Sequence, residues 1–189
     1  MALSKVRYAV VGLGHIAQAA VLPAFAHAKR NSTLHAIVSG SDEKLNKLGD
    51  RYRVPVRSSY DNYERCLKEV DAVYLCTPNS EHADFAVRAA RAGVHVLCEK
   101  PLAVTEAECT RMIEAAAAAN VRLMTAYRLH FEPLFLEIVD RVRAGKIGKP
   151  RYFNSSFSMH AKSKSVPPPS SRLVRMPFGL ACIEKEELK

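Results

Sequence analysis

Val6-Arg7-Tyr8-Ala9-Val10-Val11 runs directly into Gly12-Leu13-Gly14-His15-Ile16-Ala17, and this junction constrains the fold more than any other stretch. The first six residues read as a buried strand that stops at Gly12, and a helix opens near His15. Glycines between a strand and a helix cost conformational entropy unless the backbone needs them. Each small residue has a reason. Gly12 permits a tight turn, Gly14 leaves the backbone open to a bulky anion, and Ala17 lets the helix lie close on the strand. The start of a helix offers free N–H groups and partial positive charge, which suit a phosphate. The pattern is that of a dinucleotide-binding turn, with Gly12, Leu13, Gly14, His15 and Ile16 around the pyrophosphate.

The rest of the chain repeats the alternation. Pro23 interrupts the first helix, so a kink or break is expected there. Leu34 to Val38 is the second strand, and Asp42 to Tyr52 is helical with Leu45 and Leu48 three apart. Tyr60 to Leu67 gives a short helix, and Asp71 to Cys76 a continuous apolar strand stopped by Thr77-Pro78. Asn79 suits the N-cap of a helix running to Ala92, with Gly93 beyond its end. Val94 to Cys98 is another strand. Thr105 and Glu108 form a capping box for an Ala-rich helix ending near Asn120. Val121 to Tyr127 is a strand and Phe131 to Ala144 a helix. Apolar strands separated by amphipathic helices predict an α/β fold, a Rossmann-type parallel sheet with helices on both faces.

Arg151 to His160 changes character. Polar Tyr152, Asn154, Ser156 and Ser158 alternate with Phe153, Ser155, Phe157 and Met159, which suits a half-exposed strand of a different sheet. A Lys/Ser stretch and Pro167-Pro168-Pro169 then read as linker. The length of 189 residues fits one domain and a fragment of another.

Composition excludes several classes. No apolar run reaches membrane-spanning length. The N-terminal residues carry no apolar signal region, so a cytoplasmic location is expected. The five cysteines form no CxxC pair and sit mostly in apolar or helical stretches. They read as reduced core thiols, and no metal site is expected. The net charge of +9 is scattered, with no accompanying aromatic-basic motif, so no nucleic-acid partner is expected.

Two places bear on chemistry. At the end of the second strand an NAD site usually carries Asp or Glu for the ribose hydroxyls, and this chain has Ser39. Serine can donate to a 2′-phosphate that a carboxylate would repel, and Lys44 can add charge. The reading favours NADP, with NAD as the alternative because Asp42 could take the acidic role. Glu99-Lys100-Pro101 closes another strand at the carboxyl edge, where open α/β sheets bind ligands. A lysine partly desolvated beside a positive nicotinamide ring can act as base or proton relay while hydride leaves a carbinol carbon. Glu99 could anchor a ribose or orient Lys100. A plain surface turn is the competing reading of this segment.

Gly-Leu-Gly-His-Ile-Ala at 12–17, Cys-Glu-Lys-Pro-Leu-Ala at 98–103 and Tyr-Arg-Leu-His-Phe-Glu-Pro at 127–133 together resemble the Gfo/Idh/MocA oxidoreductase family, most like its glucose–fructose oxidoreductase branch. Val38-Ser39-Gly40 with Glu43-Lys44 also resembles that branch, which holds NADP tightly. Cys76-Thr77-Pro78-Asn79-Ser80-Glu81-His82 resembles the family's cofactor-lining loop. The resemblance implies a catalytic Lys100 at the nicotinamide, with Tyr127 assisting and Tyr127 and Arg128 lining that pocket. It implies cofactor contacts from Thr77, Pro78, Asn79 and His82, which join Ser39, Gly40, Lys44 and Glu99 as expected cofactor-binding residues, and a Lys100–Pro101 bond that is often cis. The substrate would be a sugar or polyol.

Family members are about twice as long, and their second domain is an open, mostly antiparallel sheet. The expected organisation is therefore residues 1–128 as the dinucleotide-binding domain, 129–160 as the truncated start of an α+β substrate domain, and 161–189 as an irregular Pro/Lys-rich tail. Phe153, Phe157 and Met159 on a lone strand would need cover from the tail, a second copy or another partner. Three readings follow: an NADP-dependent sugar or polyol oxidoreductase, a non-catalytic dinucleotide-binding remnant, and a basic interaction scaffold.

Overall fold

A computed structural model describes residues 5–152 and residue 154. The chain divides into two units, Met1–Asp140 and Arg141–Lys189. The first unit holds six strands, β1 (Val6–Val11), β2 (Ser32–Val38), β3 (Val56–Ser58), β4 (Ala72–Leu75), β5 (His95–Glu99) and β6 (Leu123–Ala126). They form one sheet in the order β3-β2-β1-β4-β5-β6, and every pairing is parallel. Order and direction are those of the Rossmann fold, as the alternation of apolar strands and amphipathic helices implies.

Parallel strands need covered faces, and this sheet has two apolar layers. Ala9 and Val11 of β1, Ala36 and Val38 of β2, and Val73 and Leu75 of β4 point into one layer. Val10 and Ile37 point into the other, with Leu13, Ala17, Leu22, Leu45 and Leu48. The period of two thus splits each strand between the faces.

The helices follow from local chemistry. After β1 the chain enters a π-helical stretch, Ala17–Val21, that runs into α1 (Leu22–Ala24). The kink or break expected at Pro23 is instead a change from π- to α-helical winding within an unbroken helical run over residues 15–24. The proline sits within the first two positions of α1, where its missing N–H costs nothing. Helix α2 (Asp42–Tyr52) starts at Ser41, whose hydroxyl accepts the Lys44 N–H at 3.4 Å. A 3₁₀ turn over Tyr60–Asn62 precedes α3 (Tyr63–Leu67). Helix α4 (His82–Arg91) follows a 3₁₀ turn, Asn79–Glu81, with no side-chain cap. The N-cap expected at Asn79 is therefore corrected: the preceding proline places Asn79 inside the turn rather than at its extended entry. Helix α5 (Glu106–Ala118) carries the expected capping box of Thr105 and Glu108. Another 3₁₀ turn, Arg128–Phe131, leads to α6 (Pro133–Arg143).

The second unit is described only over residues 141–152 and 154, where Gly145 and Gly148 turn the chain with positive φ. Apart from Arg151, Tyr152 and Asn154, the expected strand at 151–160 and the tail at 161–189 lie outside the described residues. Among the described residues no helix is long and apolar enough to cross a membrane.

Candidate functional site

The strand order reverses between β1 and β4, and in open α/β sheets ligands gather at the carboxyl ends beside such a reversal. Gly12 stands at that point with φ +88°. A Cβ on Gly12 would lie 2.7 Å from the carbonyl carbon and oxygen of Cys76 and 2.8 Å from the Thr77 nitrogen. The glycine is required both by its dihedral and by the approach of the β4 end. Hydrogen bonds seal the junction. Gly12 donates to the Val38 carbonyl at 2.9 Å, and Cys76 donates to the Val11 carbonyl at 2.7 Å.

Gly14 is different. A Cβ there would meet nothing within 4 Å, so open space lies over the backbone. Leu13 is buried in the core, while its carbonyl accepts the Gln18 side-chain amide at 2.9 Å. His15 and Ile16 are exposed, and Ala17 is fully buried. The turn therefore anchors inward through Leu13 and Ala17 and faces outward between them.

At the end of β2, Ser39 is buried and its N–H donates to the Ser58 carbonyl at 3.0 Å. Its hydroxyl oxygen accepts the Ser41 N–H at 3.2 Å, which leaves the hydroxyl hydrogen available to a ligand. Gly40 is exposed, with the Tyr60 ring 3.4 Å from where its Cβ would stand. Lys44 is exposed on the first turn of α2.

The loop after β4 holds one unusual atom. Thr77 is buried, and its hydroxyl oxygen has no hydrogen-bond partner. A buried, unpaired hydroxyl is costly, which makes this atom a candidate for a ligand contact. Pro78 and Asn79 are exposed. His82 is 1% exposed. Its Nδ1 lies 2.9 Å from the Pro101 carbonyl oxygen and its Nε2 lies 3.0 Å from that of Thr77. The resemblance puts His82 on the cofactor; here the ring lies between two backbone carbonyls, and a neutral ring donates its one N–H to one of them.

The Glu99-Lys100-Pro101 turn leaves β5 through a cis Lys100–Pro101 bond, as the resemblance implies. The Tyr74 hydroxyl donates to Glu99 Oε1 at 3.0 Å, and the Lys100 N–H donates to Oε2 at 3.2 Å. Burial, followed by the Glu99 charge, pushes the Tyr74 hydroxyl well above the ordinary tyrosine range, so it keeps its proton and remains a donor. Lys100 is exposed. In the β5–β6 register Glu99 pairs with Ala126, so Lys100 and Tyr127 each follow a paired residue at the same sheet edge. Tyr127 and Arg128 are exposed there.

Lys100, Tyr127 and Arg128, singled out from the sequence, thus stand at this sheet edge, while Tyr74, which reads as an ordinary strand residue, was not singled out. A cavity of about 360 Å³ lies elsewhere, around Arg57, Ser59, Asn62 and Arg65, and includes none of the site residues. Among the described residues no group of three His, Cys, Asp or Glu is placed to hold a metal.

The open backbone at Gly14 and the orphaned Thr77 hydroxyl fit a dinucleotide: one leaves room for a pyrophosphate, and the other lacks a partner that a bound molecule can supply. Residues 6–127 match the family model described as an oxidoreductase family with an NAD-binding Rossmann fold. The dTDP-3,4-didehydro-2,6-dideoxy-alpha-D-glucose 3-reductase of Streptomyces violaceoruber is 35% identical over 83% of this chain and 45% of its own. An NADP(+) D-xylose 1-dehydrogenase of Haloferax volcanii is 32% identical over 80% of this chain and 46% of its own. Among solved structures, the aldose-aldose oxidoreductase of Caulobacter crescentus complexed with glycerol is 44% identical at a TM-score of 0.72, over 75% of this chain and 43% of that one. The chain spans about half the length of the relatives it matches.

Proposed function

Because the chain belongs to the oxidoreductase family with the NAD-binding Rossmann fold, we propose that it serves an NADP-dependent oxidoreductase of sugars or polyols. The observation that carries the dinucleotide reading is the pairing of the open Gly14 turn with the unpartnered Thr77 hydroxyl beside the β1–β4 reversal. Gly12 to Ile16 would hold the pyrophosphate, and Thr77, Pro78 and Asn79 would line its other side. Ser39, Gly40 and Lys44 would take the adenosine ribose and its 2′-phosphate. No carboxylate stands at position 39 to repel that phosphate, which supports NADP, as does the NADP(+) in the name of the xylose dehydrogenase relative.

When bound, the dinucleotide supplies the hydride acceptor or donor. Lys100 would take the hydroxyl proton of an alcohol, or return it to a carbonyl in the reverse direction. Glu99 sets the course of the Lys100 backbone through the bond from the Lys100 N–H. Tyr127, at the same edge, would assist, and Arg128 would line the nicotinamide pocket. A sugar or polyol substrate is supported by the names of the relatives. A cytoplasmic setting is supported by thiols at Cys66, Cys76 and Cys98 that are free and buried. A second copy or a partner over the region near 151–160 belongs to the same proposal.

Titration of the chain with NADPH and with NADH, followed by a sugar-dependent absorbance assay, tests the reading. Tighter NADPH binding is expected, with turnover lost in Lys100→Ala while binding persists. Binding without turnover would remove the catalytic assignment and leave a dinucleotide-binding module. No binding of either nucleotide would overturn both.

A further inference from the structure

We propose that Tyr74 and His82 are positioning residues that clamp the turn on either side of Lys100, one holding Glu99 and the other Pro101. The proposal rests on the reading of Lys100 as the proton-handling group. Three consecutive residues leave β5, and the outer two are each gripped from the β4–α4 segment. Tyr74 on β4 donates to the Glu99 carboxylate at 3.0 Å. His82, at the start of α4, meets the Pro101 carbonyl at 2.9 Å. The middle residue, Lys100, is exposed, with its backbone N–H on the other oxygen of Glu99 at 3.2 Å.

The grip reaches further on one side. The second ring nitrogen of His82 lies 3.0 Å from the Thr77 carbonyl, so one buried ring spans the gap from the Lys100 turn to the residue with the unpartnered hydroxyl. Residues 77 and 101 are far apart in sequence, and no backbone hydrogen bond joins the two segments at these carbonyls. A neutral ring donates its one N–H to one of these carbonyls and packs against the other, a bond that an apolar side chain in the same space could not make. Tyr74 is half-buried among apolar residues, with its hydroxyl spent on Glu99. A displacement of about 1 Å at a reacting group can cost on the order of a hundredfold in rate. Two braces flanking one exposed lysine answer that requirement.

The test uses the full chain with reductively ¹³C-methylated lysines. The Lys100 resonance is identified by its loss in Lys100→Arg. In the protein without nucleotide, Tyr74→Phe and His82→Gln are each expected to move or broaden that resonance and leave distant lysines unchanged. His82→Gln is also expected to weaken NADPH binding about three- to tenfold, because Thr77 is released, and Tyr74→Phe less than twofold. Tyr63→Phe, a buried change that removes a hydrogen bond to the Phe85 carbonyl further along α4, controls for general loss of stability and should leave the Lys100 signal in place. An unchanged Lys100 resonance in both variants overturns the clamp, as does an equal change in Tyr63→Phe. Failure of wild-type Lys100 to respond to bound NADPH would instead overturn its placement at the nicotinamide, and the clamp is still judged in the nucleotide-free protein.

Discussion

Gly12 and Cys76 are in backbone contact so close that a Cβ on the glycine would lie 2.7 Å from the Cys76 carbonyl carbon. Rigid backbone on one side and φ +88° on the other leave an L side chain no conformation without strain. Gly12→Ala is expected to destabilise the chain by at least about 1–2 kcal/mol from the dihedral, with the contact adding to it. Urea denaturation measures the loss. NADPH affinity should fall with it, since the turn and the Thr77 loop move together. A midpoint equal to wild type would show that the two strand ends can separate freely.

Thr77 separates folding from binding. Its hydroxyl has no partner in the fold, so Thr77→Val removes a desolvated group and should leave the urea midpoint unchanged or raised. If the hydroxyl serves a bound dinucleotide, the same variant should bind NADPH about two- to tenfold more weakly, the span of an ordinary hydrogen bond. Unchanged affinity would take Thr77 out of the site.

Ser39 is the position at which the ribose phosphate would be read. Its hydroxyl already accepts the Ser41 N–H, so a carboxylate in its place retains that acceptor role and adds negative charge. Ser39→Asp is expected to shift the ratio of NADPH to NADH affinity towards NADH by about tenfold. Paired fluorescence titrations give the ratio directly, independent of any general loss of stability. An unmoved ratio would assign the 2′-phosphate to other residues.

Alkali should weaken the fold. Burial, then the charge of Glu69, pushes the Cys66 thiol up to about 11. Burial, then Glu99, pushes Cys98 up to about 12, and burial raises the Tyr63 hydroxyl as well. These raised values mean that the fold keeps protons which the unfolded chain releases from about pH 8.5 upward. The contribution is complete below that pH and is lost as pH rises towards the folded values. Between pH 8 and 10.5 the loss is on the order of 2 kcal/mol per buried thiol. Urea midpoints across that range should fall, and less so in Cys66→Ala. A flat profile would mean that these groups ionise without unfolding.

What the sequence made legible was local. The glycine turn follows its strand without interruption, and the capping box spans four residues, so both can be read in a short window. Continuous apolar runs placed most of the strands, since both faces of a parallel sheet must be covered. β3 escaped notice because three residues are too few to show a period, and it follows Arg53, a helix end with φ 53°. Tyr74–Glu99 and His82–Pro101 join residues 25 and 19 apart. No window contains both partners, and a tyrosine in a strand or a histidine at a helix start has many ordinary uses. The turn at Lys100 was thus visible, but the side chains that hold it were not.

The same turn is closed on its far side by α5. Thr105 accepts the Glu108 N–H at 3.2 Å, and Glu108 Oε2 accepts the N–H groups of Val104 and Thr105 at 3.1 and 3.0 Å. The box therefore fixes the chain only a few residues beyond Pro101 as well as starting the helix. Thr105→Ala should cost about 1 kcal/mol, the usual loss for an N-cap, and Thr105→Ser should restore most of it. Thermal melts read both variants. Hydrogen exchange should quicken at the amides of Val104 to Glu108 in the alanine variant and stay at wild-type rates across β1 and β4. Uniform quickening over the sheet would instead mean that the box supports the whole domain rather than this end of it.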